Sequence, residues 1–409
     1  MGPTEEITVE LMQLILREAE KDSTIQVLPD LGVAELNEDL HGGSCLSRVT
    51  VKYTRQGKAT QHTLSLLVKV VPKLEATKNM AQQTTFFTRE IQMFNEILPR
   101  MSALLSGAMR DRHVDFSARV YYTRDAPSYL IAIEDLAPKG FKAPKRALGL
   151  DLEHSLLALR TLARFHAASV MIHRDDGSLF AVFDKYCFQE KGLNDILKKM
   201  SEGLTTLVLK KVESWPDFGP GWADRLRRRY LTMFDDLQPL WRRDEAGFNV
   251  LNHGDFGLHN VMYRHCESGG EADAIMLVDF QCCSYNSPVL DLLQFVFGSV
   301  SDDVRTDHVG TLLRGYHSEL TAALRSLGAP REQHISFAGL LEEFDSKMLY
   351  GLFYSTLILP FLGFDLSSQS DVTMENITGE FKNLPLMLTD SFYSHFRKLL
   401  PLFSQKKLL

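Results

Sequence analysis

The sequence predicts an α+β protein: a small lobe on a mixed β-sheet, residues 1–136, and then a larger, mostly helical lobe, residues 137–409. Three observations carry this. Residues 25–136 hold alternating, β-branched segments around one strong helical pattern. From residue 151 onward, apolar residues recur at helical spacing in segment after segment. Between the two regimes, Ala137-Pro138-Lys139-Gly140 breaks the pattern.

The elements follow in order. Residues 5–20 read as a helix with Leu11, Leu14, Ile15 and Ala19 on one face. "SRVTVKYT" (47–54) and "HTLSLLVKVV" (62–71) alternate around Gln56-Gly57-Lys58 and read as a hairpin. "TTFFTREIQMFNEILPRM" (84–101) is helical, with Phe87, Ile91 and Phe94 in register. "FSARVYYT" (116–123) and "YLIAIEDL" (129–136) are strands separated by the Asp125-Ala126-Pro127-Ser128 turn, so residues 25–136 run strand, strand, strand, helix, strand, strand. "DLEHSLLALRTLARFHAAS" (151–169) is a long amphipathic helix that opens on an acidic turn. Residues 220–240, 288–300, 303–326, 333–347 and 384–404 carry the same periodicity. No internal repeat is present.

Composition bounds the function. With 44% hydrophobic and 24% charged residues, the 409-residue chain has ample material for a core. A net charge of −7 argues against a general nucleic-acid binder, whose footprint is basic. The five cysteines are scattered and form no C-x-x-C pair, which speaks against zinc and for reduced thiols in a cytoplasmic protein. The N-terminus is acidic and lacks the basic start of a signal peptide; Glu6 stands where myristoylation after Gly2 needs Ser or Thr. The sequon at Asn376 is therefore expected to stay unglycosylated. The uncharged run "MLYGLFYSTLILPFLGF" (348–364) is short for a bilayer span, contains Pro360 and has no second such run beside it. It reads as a buried helix, and no membrane partner is expected.

The chemistry concentrates in "LNHGDFGLHNVMYR" (251–264) and "IMLVDF" (275–280). An isolated H-G-D is more often a turn with a capping Asp, and an isolated V-D-F a strand end. The ordered set H-x-D-x-x-x-x-N followed by an apolar strand and D-F is far more specific. Phosphoryl transfer needs an acceptor hydroxyl held and relieved of its proton, and magnesium to neutralise charge between phosphates. Asp255 suits the first task. Asn260 and Asp279 offer the hard oxygens of the second, and the turn "CESGGEAD" between them is consistent with a hairpin.

The small lobe offers matching parts. Lys69 in "LLVKV" would grip the α- and β-phosphates of ATP, and Glu90 on the next helix would orient it. Alone, each would read as an exposed strand lysine and a solvated helix residue. Gly42, Gly43 and Ser44 in "HGGSCLSR" permit backbone N–H groups to approach phosphate, although the segment matches no P-loop pattern. Glu134 and Leu136 in "IEDL" would bring backbone to adenine. A protein kinase is disfavoured, because no H-R-D loop or A-P-E-like segment follows in order.

Together "LLVKV", "FFTREIQMFNEILPRM", "IAIEDL", "LARFHAAS", "HGDFGLHNVMYR" and "VDFQCCSYNSPVLDLLQFVF" resemble the ecdysteroid-kinase-like family of insects, within the wider choline-kinase and aminoglycoside-phosphotransferase group. The similarity runs over residues 25–340. It implies a two-lobed protein-kinase-like fold, with ATP bound by the first lobe and the catalytic loop and acceptor site in the second. It also implies ATP- and Mg²⁺-dependent phosphorylation of a hydroxyl on a small molecule, with Asp255 as base and Asn260 and Asp279 holding magnesium. A steroid or other lipophilic alcohol is the implied acceptor; choline, an amino alcohol or a xenobiotic is the alternative, and a nucleotide-binding pseudokinase is the rival from another class. The family usually has Leu-Trp after H-G-D and a paired Asn-Asn. Here Phe256-Gly257 and His259-Asn260 stand in those places, which leaves the shape of the acceptor side open. His259 reads as a structural loop histidine, and Asp291 as a brace of the catalytic loop.

Overall fold

The computed structural model describes residues 6–37, 44–56, 58–71, 84–109, 114–126, 128–145, 149–266, 270, 272–362 and 384–409. It is a mixed α+β structure whose chain forms two compact units. The first comprises Met1–Pro99, Asp115–Lys142 and Tyr263–Gln281. The second comprises Arg100–Val114, Ala143–Met262 and Cys282–Leu409. The units interleave along the chain: Tyr263–Gln281 groups with the first unit, far down the sequence.

The first unit is built on a six-stranded antiparallel sheet in the order β1-β3-β4-β6-β5, with β2 also pairing β3. The strands are β1 (Gln26–Val27), β2 (Gly32–Asn37), β3 (Cys45–Arg55), β4 (Lys58–Val70), β5 (Val120–Arg124) and β6 (Leu130–Glu134). The expected hairpin is present as β3 and β4, with Tyr53 opposite His62. Along β3 burial alternates strictly, as a sheet with one covered face requires. Val49, Val51 and Tyr53 join Leu66, Val68 and Val70 of β4 in one core. Helix Val9–Glu20 closes that core with Met12, Ile15 and Leu16, and Thr8 caps its N-terminus. Leu14, expected on the buried face, is 43% exposed; the face that packs is centred one position away. The sequence missed β1 and β2 as separate strands and began β5 four residues early.

Because Val68 and Val70 point into the core, Lys69 between them points to the sheet's opposite face. Helix Phe86–Gln92, followed by a π-helical segment Met93–Ile97, buries Phe87, Ile91 and Phe94 as expected. A two-stranded sheet, β8 (Val261–His265) with β9 (Ala272–Leu277), spans the interval between the two motif segments, in agreement with the hairpin expected there.

The second unit is helical. Asp151 caps helix Leu152–Asp175, accepting from His154 N. Helices Gly219–Trp241, Val289–Gly298 and Phe337–Ser346 stand where periodicity placed them. Residues 303–326 are divided into Asp302–Asp307 and Val309–Ser326, and 384–404 into Leu384–Met387 and Asp390–Gln405. Helix Lys191–Glu213 was not anticipated. The short strands β7 (Val250–Asn252) and β10 (Ser284–Asn286) pair antiparallel. The apolar run from Met348 forms helix Met348–Phe353, a π-helical segment Tyr354–Ile358 and helix Leu359–Leu362. Residues 348–357 are buried, and among the described residues no helix is long and apolar enough to cross a membrane. The sequon at Asn376 lies outside the described residues.

Candidate active site

In the first unit three chain segments meet at Lys69. Its Nζ donates to Glu90 Oε2 at 2.6 Å, Asp279 Oδ1 at 2.9 Å and Gln281 Oε1 at 3.2 Å. The Lys69 side chain is 14% exposed, Glu90 4% and Asp279 32%. Burial would lower the Lys69 pKa, but the Asp279 and Glu90 carboxylates override it and hold it above the ordinary lysine value. Burial, with the nearby Asp279 charge, raises the Glu90 carboxyl against the pull of Lys69. The Phe280 N–H also bonds to Glu90, and the Phe280 ring meets Phe94 edge-on at 5.7 Å. Phe280 thereby fixes the segment that carries Asp279. Asp279 itself has φ 64°, a left-handed conformation uncommon outside glycine, which a short polar side chain tolerates best.

Two carboxylates around one ammonium leave an excess negative charge on a partly exposed edge. Mg²⁺ characteristically takes one or two carboxylates and completes its shell with water and phosphate oxygens. The donor set fits that ion. It does not resemble an all-protein cage: among the described residues no three His, Cys, Asp or Glu side chains gather as a metal site.

Near this cluster, Glu134 ends β6, pairs with Lys139 at 2.7 Å and lies opposite Leu66. Leu136 is buried, and its carbonyl accepts from Lys139 N and Phe141 N. That carbonyl is committed to the local turn, so the backbone contact to adenine expected at Leu136 is left to its N–H. Asp135, which the sequence reading passed over, organises the turn: it accepts from Arg48 Nε and Ser65 Oγ, both at 2.7 Å, and from Ala137 N at 3.1 Å. Ser44 is buried beside the start of β3; Gly42 and Gly43 lie outside the described residues.

In the second unit the loop after β7 gathers Asp255 and Asn260. Asn260 Nδ2 donates to Asp255 O and to Asp255 Oδ2, each at 2.9 Å. Those two bonds fix the amide's orientation, so Oδ1 is the Asn260 atom that could serve as a ligand, a hard oxygen of the kind magnesium takes. His259 Nε2 lies 3.1 Å from Asp255 Oδ2 and donates there, since a carboxylate can only accept. Gln294 Nε2 donates to Asp255 Oδ1 at 2.9 Å. Burial would raise the Asp255 carboxyl; the His259 imidazole and the Asn260 amide outweigh it and hold the group below the usual carboxylate range. Asp255 is therefore ionised at neutral pH.

The loop is anchored from behind. Asp291 Oδ2 accepts from His253 N at 2.7 Å and Oδ1 from Gly254 N at 2.9 Å, the bracing role expected of it. Its third partner is His166 Nε2 at 3.2 Å, whose Nδ1 meets Tyr316 OH at 2.7 Å. Burial lowers the His166 pKa despite the Asp291 charge, so the ring is neutral, donates through Nε2 and accepts the Tyr316 proton at Nδ1. Gly254 has φ 78°, and a Cβ there would stand 1.9 Å from Cys282 O: two backbones meet where no side chain fits. Phe256 is buried against Phe295 at 5.1 Å. At Gly257 a Cβ would lie 2.4 Å from the His259 ring, so this ring takes up the space a side chain at 257 would need. His259 is thus a direct partner of Asp255 within the same loop.

The structure therefore brings Lys69, Glu90 and Asp279 together, and separately Asp255 and Asn260; Asn260 and Asp279 belong to different units. Gln281, Gln294 and Asp135 were missed. Gln281 stood two residues after the flagged Asp279, which was a usable signal, whereas Gln294 sat inside an apolar helical pattern and gave none.

One expectation arises directly. Lys69→Met strands a buried carboxylate at Glu90, and breaking such a pair costs about 3–5 kcal/mol. It should lower the melting temperature and raise the KM for ATP or lower kcat; Glu90→Gln should act in the same direction more mildly. Steady-state ATP kinetics with a thermal melt checks this. Unchanged ATP kinetics in Lys69→Met would leave Lys69 a merely structural cation.

A model of the ecdysteroid kinase-like family matches residues 41–329, more than two thirds of the chain. A comparison with curated proteins gave no match.

Proposed function

The chain belongs to the ecdysteroid kinase-like family, a membership that points to a kinase-like phosphotransferase, and we propose that it transfers the γ-phosphoryl group of ATP, with Mg²⁺, to a hydroxyl of a small lipophilic alcohol of steroid type in the cytoplasm. The observation that carries the reading is the Lys69–Glu90–Asp279 cluster: a cation held by two carboxylates on the sheet face opposite the core. Folding alone gives no reason to bury that arrangement, since buried ion pairs contribute little net stability.

In this reading the two units are the lobes of a kinase-like fold. Lys69 binds phosphate oxygens and Glu90 keeps its ammonium aimed. Asn260 and Asp279 would hold magnesium, which supplies charge neutralisation on the phosphates when bound. Asp255, ionised and oriented by Asn260, Gln294 and His259, accepts the proton of the acceptor hydroxyl. Glu134 and Leu136 would present backbone to adenine, and Ser44 would approach the phosphates.

The acceptor class rests on the family. The apolar runs 292–300 and 348–364, which the sequence would allow to line a cleft, are buried over residues 292–297 and 348–357. Choline would instead require an aromatic cage with nearby acids. Hydroxylated steroids are expected to give a higher kcat/KM than choline or ethanolamine in a screen with labelled ATP at saturating Mg²⁺. A clear preference for choline would overturn the acceptor and leave the phosphotransferase standing; no acceptor-dependent transfer to any alcohol, with ATP bound, would favour a nucleotide-binding protein without turnover.

A further inference from the structure

Asp255 is held on both of its oxygens. Oδ2 receives Asn260 Nδ2 and His259 Nε2 from its own loop, whereas Oδ1 receives Gln294 Nε2 from helix Val289–Gly298. The carboxylate plane is thus set from two directions by elements far apart in sequence. A neutral amide is well suited to the second hold, because it orients the carboxylate without adding a charge that would weaken it as a proton acceptor.

Gln294 is itself held. Its Nε2 also lies 3.1 Å from Tyr354 OH, and both side chains are buried. Burial keeps the Tyr354 phenol far above its ordinary pKa, so its oxygen remains a neutral acceptor for the amide. Gln294 Oε1 is buried with no hydrogen-bond partner among the described residues. Flipping the amide would present that oxygen to the Asp255 carboxylate. The amide is therefore turned so that its donor rather than its acceptor meets Asp255, at the cost of an unpartnered buried Oε1. Tyr354 lies in the π-helical segment Tyr354–Ile358, a geometry common at functional sites. Space for its ring is opened by Gly298, where a Cβ would stand 2.4 Å from the ring. At Gly351 a Cβ would likewise meet the Phe297 ring at 2.6 Å.

We propose that Gln294 and Tyr354 are positioning residues that form one hydrogen-bonded chain aiming the Asp255 carboxylate at the acceptor oxygen. This rests on the reading of Asp255 as the base, so Asp255→Asn is assayed beside the variants below.

The assay is transfer from labelled ATP to 20-hydroxyecdysone and, in parallel, to water alone, where the same carboxylate would take the proton of the attacking water and no alcohol has to be identified. Gln294→Met keeps the volume and removes the donor; kcat should fall up to about 10²-fold, the usual cost of a reacting group displaced by about 1 Å, while the KM for ATP stays unchanged. Gln294→Glu, which sets a second carboxylate against Asp255, should fall further. Tyr354→Phe should lower kcat less, and Gln294→Met/Tyr354→Phe should be no slower than Gln294→Met, because both act through one chain. A packing role alone predicts near wild-type kcat in Gln294→Met, which keeps the volume, and additive losses in the double variant. Wild-type kcat in Gln294→Met, with Asp255→Asn inactive, overturns the positioning role and leaves the base in place. Full activity in Asp255→Asn overturns the base and this inference with it. If Gln294→Met loses its cooperative melt, Tyr354→Phe decides, since it removes one buried oxygen and no carbon: unchanged kcat there overturns the chain.

Discussion

Asp255→Asn is expected to lower acceptor-dependent turnover by about 10²–10⁴-fold, the range of a positioned general base. The substitution is less innocent than its shape suggests. Both carboxylate oxygens already accept from N–H donors, Oδ1 from Gln294 and Oδ2 from Asn260 and His259. Turned toward Asn260 and His259, the new NH₂ faces donors; turned toward Gln294, it finds an acceptor only after that amide flips, so the hydrogen bonds around residue 255 rearrange as the proton acceptor is lost. Because Asn260 is one of those donors, a modest weakening of Mg·ATP binding is expected alongside the large loss in kcat. Steady-state kinetics with calorimetric titration of Mg·ATP separates the two. Near wild-type turnover in the folded variant would remove Asp255 from the chemistry.

Asp279→Ala is expected to abolish Mg·ATP binding, and to do so more completely than Asn260→Ala, because it removes a charged ligand rather than a neutral one. Two effects are mixed in that variant. Asp279 occupies the left-handed region, φ 64°, which Ala adopts less readily than Asp or Asn. Asp279→Asn keeps the backbone preference and discards the charge, so it isolates the electrostatic part. Lys69 retains Glu90 in either case, and the fold should survive. Unchanged Mg·ATP affinity by calorimetry in Asp279→Asn and Asp279→Ala together would show that the carboxylate holds no metal.

Much of this architecture was legible because it rests on local pattern. The β3–β4 hairpin announces itself by alternation, and Phe87, Ile91 and Phe94 by helical spacing. The candidate site residues stood out by their order along the chain. Three kinds of feature were not. Strand β1 is two residues long and carries no periodicity to detect. Helix Lys191–Glu213 mixes Gly, Asn, Ser and Thr into its pattern, and tertiary packing overrides that weak propensity. Gln294 and Asp135 acquire meaning only from partners 39 and 87 residues away, Asp255 and Arg48, a distance that no window along one chain can span. Leu14 shows the smaller error: the helix was right, and its buried face was displaced by one residue.

The π-helical segment Tyr354–Ile358 contains one residue more per turn than its flanks can use. Removing a single residue there would restore regular α-helical pairing and close the wide turn that carries Tyr354. Tyr354 would then shift away from its present contact with Gln294. Chain length in this segment is therefore as much a determinant as residue identity. Among homologues, a one-residue gap here would matter more than most substitutions, and a comparison that scores only side-chain similarity would overlook it.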